Sequence, residues 1–119
     1  MIIRFAVLTI WVKDFEKSLS FYRDALELEL VSHPGDIPHL KVGEGFLVLV
    51  KGEFCLPADA FPPDFPQLAL ETDDLDKLVA QLQKSGIDIE GHIEERRDSR
   101  WVKLHDPDGN LIELVQVKA

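Results

Sequence analysis

Apolar residues fill residues 2–12 on two alternating faces, Ala6, Leu8, Ile10 and Val12 on one and Phe5, Val7, Thr9 and Trp11 on the other. A period of two predicts a strand, and apolar residues on both faces predict one covered on both sides. Asp14 then offers a helix N-cap, and Phe15, Leu19, Tyr22 and Leu26 recur at helical spacing to about residue 28. Strands are predicted near 28–33, 37–42 and 45–51, the last two joined through Gly43-Glu-Gly45. Residues 52–66 lose all periodicity and hold four prolines, which cannot donate to a ladder, so this stretch reads as a connector.

The pattern then begins again. Residues 65–71 predict a strand, Asp74 a second N-cap, and Leu75, Leu78, Val79 and Leu82 the stripe of a helix that stops at Gly86. Three strands follow, near 88–95, 99–105 and 111–117. At an offset of 60 residues Asp14 overlays Asp74, and Phe15, Leu19 and Tyr22 overlay Leu75, Val79 and Leu82. The chain is therefore an internal duplication of a strand-helix-strand-strand-strand unit: residues 1–51 and 65–119, with a connector over 52–64.

The sharpest local signal is the turn Asp106-Pro-Asp-Gly-Asn110, flanked by alternating residues. A five-residue loop pairs 105 with 111, 104 with 112 and 103 with 113. That register gathers Val102, Leu104, Ile112 and Leu114 on one face and sends Trp101, Lys103, His105 and Glu113 to the other.

Composition narrows the class. At 119 residues, 45% apolar and 29% charged, the chain fits one globular domain. The net charge of −9 and the lack of a basic stripe argue against nucleic acid, and no apolar run is long enough for a membrane span. The N-terminus lacks the build of a signal peptide. One cysteine, Cys55, gives no internal disulfide and no thiolate cluster, and a cytoplasmic location is expected. The basic group Arg96, Arg97, Arg100 and Lys103 is either a solvated strand edge or a holder of an anionic substrate.

Two stretches carry a resemblance. Val7-Leu-Thr-Ile-Trp-Val-Lys-Asp-Phe-Glu-Lys-Ser-Leu-Ser-Phe-Tyr22 and the hairpin Trp101–Gln116 resemble the opening module and signature hairpin of the vicinal oxygen chelate superfamily. That superfamily includes glyoxalase I, extradiol dioxygenases, and the fosfomycin and bleomycin resistance proteins. The resemblance implies a single α+β domain over 1–119, in which two βαβββ modules form a cup-shaped, curved mixed sheet with helices outside. It also implies a homodimer, for which the aromatic-bearing loop from Phe54 to Phe65 is a candidate contact surface.

In metal-using relatives four side chains line the cup. The resemblance carries these positions onto Val7, Gln67, Glu113 and either Val48 or Leu49. Of these only Glu113 is a good ligand, so the set is degenerate, and a member without metal or other cofactor is expected. The expected function is binding of a small organic molecule in an apolar, aromatic-lined cup. Phe5, Val7, Trp11, Gln67, Trp101 and Glu113 would be its walls, with Glu71 on the face of Gln67. The alternative is a lyase, isomerase or dioxygenase-type enzyme using Glu113 with a divalent metal, helped by Gln67, Glu71 or His105. Plainer roles stand beside these. Glu113 opposite Lys103 is an ordinary cross-strand pair, and Trp11 and Trp101 can be packing residues. His33 and His39 are expected in solvent, and His105 is a catalytic candidate with no orienting partner visible in the sequence.

Overall fold

The computed structural model describes residues 1–32, 37–52, 66 and 68–118. Gln67, His33, Cys55 and the stretch from Phe54 to Phe65 lie outside the described residues. In chain order the elements are β1 (Val7–Val12), α1 (Phe15–Leu19), a π-helical continuation (Ser20–Ala25), β2 (Glu29–Ser32), β3 (His39–Val42) and β4 (Gly45–Lys51). Then come β5 (Leu68–Glu71), α2 (Leu75–Lys84), β6 (Glu90–Glu95), β7 (Ser99–His105) and β8 (Leu111–Val117). The strands form two four-stranded mixed sheets, ordered β1-β4-β3-β2 and β5-β8-β7-β6. In each the first strand runs parallel to the fourth, and the other neighbours are antiparallel. Contacts divide the chain into two compact units, Met1–Cys55 and Leu56–Ala119.

In the first unit, Ile10, Val12, Leu40, Leu47 and Leu49 are buried together with Leu19, Phe21, Tyr22, Ala25 and Leu26 of the helix. Asp14 caps that helix, its Oδ1 accepting from the Glu16 and Lys17 amides at 2.9 and 3.3 Å. The helix differs from expectation after Leu19, where it widens into π geometry, marked by Leu26 N–H donating to the Phe21 carbonyl at 3.0 Å. A wider turn sets successive residues at a smaller angle about the axis, which lets neighbours Phe21 and Tyr22 both be covered. Their rings meet edge to face, with centroids 4.9 Å apart.

Three expectations for this unit are corrected. The opening strand begins at Val7, not at residue 2, because its ladder partner β4 begins at Gly45 and the register pairs Val7 with Phe46. Nor is it covered on both sides: Phe5 (67% exposed), Val7 and Trp11 lie open. His39 is half-buried on β3, its Nδ1 3.0 Å from the Ile37 carbonyl, rather than in solvent.

In the second unit Val102, Leu104, Ile112 and Leu114 are buried with Leu75, Val79 and Leu82 of α2. Asp74 caps α2 by accepting from the Lys77 amide at 3.1 Å. Gln116 of β8 completes the cap from a distance in sequence. Its Oε1 accepts from the Leu75 amide at 2.9 Å and its Nε2 donates to the Asp73 carbonyl at 3.0 Å. An otherwise unpartnered first-turn amide is thereby satisfied by the sheet. Gly86, at φ +82°, ends the helix in the left-handed region as expected.

Arg100 ties β7 to the same helix. Its Nη1 and Nη2 donate to the two Asp76 carboxylate oxygens at 2.9 and 3.0 Å. Its Nε lies 3.0 Å from Glu95 Oε1, a charge contact outside hydrogen-bond alignment. The hydrogen bonds from Arg100 hold the Asp76 carboxyl below its ordinary range. A lowered folded-state value means the pair stabilises the fold above the unfolded carboxyl's titration, near about pH 4, and ceases to do so as pH falls through the folded value. Asp76→Asn is expected to lower the melting temperature slightly at neutral pH and to converge with the parent in acid. Parallel melting profiles across the whole pH range would contradict this. Among the described residues no helix is long and apolar enough to cross a membrane.

Candidate functional site

The β7–β8 hairpin has the register read from its turn chemistry: His105 opposite Leu111, Leu104 opposite Ile112, Lys103 opposite Glu113. Asp106 fixes it. This buried carboxylate accepts from the Asp108 and Asn110 amides at 2.9 and 2.8 Å through Oδ1, and from Asn110 Nδ2 at 2.9 Å through Oδ2. Gly109, at φ +85°, supplies the left-handed residue that the loop requires.

Continued along the strands, the register pairs Trp101 with Val115 and Ser99 with Val117. Alternation then places Ser99, Trp101, Lys103, Glu113 and Val115 on the face turned away from the buried leucines. These five residues, with Pro66 and Arg96, line a cavity of about 360 Å³. Trp101, Lys103, Glu113 and Val115 are all half-buried. Trp101, Val115 and Pro66 make an apolar wall, while Arg96, Lys103 and Ser99 bring donors and Glu113 an acceptor. The Arg96 guanidinium carbon sits 5.1 Å from the centre of the Trp101 ring, within cation–π range. On the far side of Glu113, Ala69 of β5 is its register partner.

The structure thus brings two of the sequence-predicted residues, Trp101 and Glu113, into one cavity. Glu71 is exposed at the end of β5. His105 is exposed beyond the Lys103–Glu113 pair and outside the cavity lining, but it has the orienting partner that the sequence did not reveal, Glu90 Oε1, 3.0 Å from its Nδ1. Phe5, Val7 and Trp11 belong to the first unit, where Trp11 lies so close against Gly52 that a Cβ there would run into the ring. Of the lining residues not proposed as ligand contacts, Val115 and Ser99 were legible by extending the hairpin register. Arg96 and Lys103 stood in the basic cluster, and nothing in the sequence pointed to Pro66.

A family model described as the glyoxalase/bleomycin resistance protein/dioxygenase superfamily matches residues 4–114. The chain belongs to that superfamily. It is 26% identical over 106 residues to a metallothiol transferase, FosB, of Staphylococcus epidermidis, covering 87% of this chain and 74% of that protein. Among solved structures it is similar to TnmS3, an antibiotic-binding protein from Streptomyces sp. CB03234, at 29% identity, 98% coverage of each chain and a TM-score of 0.78. It is similar at 27% identity, with the same coverage and TM-score, to the virulence protein STM3117 of Salmonella typhimurium.

Membership of the superfamily makes the metal positions worth testing against the side chains present. The ladders settle which residue of β4 corresponds to Glu113. Glu113 pairs with Ala69, and Val48 pairs with Thr9, the residue 60 positions before Ala69. The counterpart is therefore Val48, not Leu49. The Val48 and Val7 side chains carry no lone pair, and the residue opposite Glu113 in its ladder is Lys103. Among the described residues no group of three or more His, Cys, Asp or Glu side chains could hold a metal ion. The described residues at these positions, Val7, Val48 and Glu113, bring one carboxylate and so do not fit a divalent metal, which needs about three imidazole or carboxylate ligands.

Proposed function

We propose that this chain is a small-molecule-binding member of the superfamily, taking an organic ligand on the open face of the β7–β8 hairpin without a metal. The observation that carries the reading is the cavity itself. At about 360 Å³ it lies in the range of small-ligand sites, and it joins an indole and a valine to a few convergent polar groups. The similarity to an antibiotic-binding protein supports the same reading. The donor chemistry at Val7 and Val48 favours it over catalysis through a metal.

The test follows the side-chain resonances of Trp101 and Val115 while flat aromatic compounds are titrated in, with and without a chelator. Trp101→Ala is expected to weaken any binding so found by at least about tenfold, the scale of a buried aromatic anchor. A cavity that no compound perturbs would remove the proposal. The competing reading is an enzyme of lyase, isomerase or dioxygenase type acting through Glu113 and a divalent metal. It draws on the relative named a metallothiol transferase. Stoichiometric metal in protein purified without an affinity tag would replace the first reading with this one.

A further inference from the structure

We infer that the ligand of this cavity is an organic anion, a flat apolar body bearing a carboxylate, and that Arg96 is the residue that selects its charge. The inference rests on the proposed binding role and adds a chemical class to it.

The chain as a whole is strongly acidic, at −9, yet its cavity is not. Two cationic side chains, Arg96 and Lys103, line it against a single carboxylate, Glu113. Lys103 stands opposite Glu113 in the ladder, and Arg96 adds a second positive charge to the lining. The carboxylate next to Arg96 in sequence is committed elsewhere: Glu95 faces Arg100 at 3.0 Å and Lys118 at 3.7 Å, while Asp76 holds the other edge of Arg100. Glu94 and Asp98 are exposed and outside the cavity lining. Among the described residues the side-chain partner of Arg96 is the Trp101 ring.

The backbone of Arg96 is held at both polar groups. Its amide donates to the Ser99 carbonyl at 2.9 Å, and its own carbonyl accepts from Lys118 Nζ at 2.8 Å. A guanidinium kept over an indole by its charge retains N–H donors in the plane of the group, which suits a carboxylate bound through both oxygens. An apolar body can then lie along Trp101 and Val115 while its charged end meets Arg96. The neighbouring arginines do not share the task, since Arg100 is bonded to α2 and Arg97 is outside the cavity lining.

The experiment uses the full chain and matched acid and amide probes: benzoate with benzamide, naphthoate with naphthamide, and anthracenecarboxylate with its carboxamide. Affinity is read from the Trp101 indole resonance. In at least one pair the carboxylate is expected to bind about tenfold or more tightly than the amide, with the preference shrinking as salt screens the charge. Arg96→Gln should abolish the preference, whereas Arg97→Gln should leave the preference and both affinities unchanged. Amides that bind the parent protein as tightly as their acids would overturn the inference while the binding role stands. Persistence of the preference in Arg96→Gln would overturn the assignment of Arg96. If no pair moves the Trp101 resonance, the binding role fails and the inference with it.

Discussion

Leu114→Ala is expected to destabilise the protein by about 3 kcal/mol, within the usual range for emptying a buried leucine site. For a chain of this size that corresponds to roughly 10 °C in melting temperature. Leu114 is fully buried at the middle of β8, with Leu70 and Val102 as its register partners on either side. Neighbours fixed in a ladder relax little, so the vacated volume persists as a cavity. The residues on either side of it in sequence, Glu113 and Val115, point the other way and line the cavity. Affinity measured well below the melting temperature should therefore change little. Urea unfolding and ligand titration of the same variant separate the two effects. A destabilisation below about 1 kcal/mol would mean that β8 is not the packed centre of its unit.

Asp106→Ala is expected to cost roughly 2–3 kcal/mol, the scale of hydrogen bonds to a charged group lost from a buried position. Three donors lose their acceptor at once: the Asp108 amide, the Asn110 amide and the Asn110 side-chain nitrogen. Asp106→Asn keeps one carbonyl oxygen for the two amides and should lose less than half as much. Because this loop sets which residue faces which across β7 and β8, the alanine variant should also broaden or shift the backbone resonances of Trp101 and Glu113. Unchanged stability in urea, with unchanged resonances, would show that the strands hold their register without the loop.

What the sequence revealed was local chemistry with a fixed period. The hairpin register, both aspartate N-caps and the glycine stop at Gly86 each depend on a few adjacent residues, and each stands where expected. What escaped depends on distant partners or on breaks in the period. Residues 2–6 alternate as well as any strand does, but a ladder extends only as far as its partner, and β4 starts at Gly45. Gln116 caps a helix 41 residues earlier in the chain. Glu90 reaches His105 across a pair of strands whose register shifts between Glu90 and Glu94, so counting residues from the turn could not find it. Half of the candidate site was legible for the same reason. Trp101 and Glu113 follow from alternation, whereas the placing of Arg96 over Trp101 depends on a turn with no period to extrapolate.

The parallel pairing of first and fourth strands imposes an order of events on folding. Glu113 meets Ala69 across 44 residues of chain, whereas β7 and β8 meet across a five-residue loop. Closing the long loop costs more entropy and comes later, so β6, β7 and β8 can zip together from their turns while β5 waits for β8 to exist. During synthesis β5 and α2 emerge before the strand that will bind them. A chain cut before Leu111 would leave β5 and β7 with unpaired edges and α2 without the Gln116 that satisfies its first turn, even though every residue of those elements had been made.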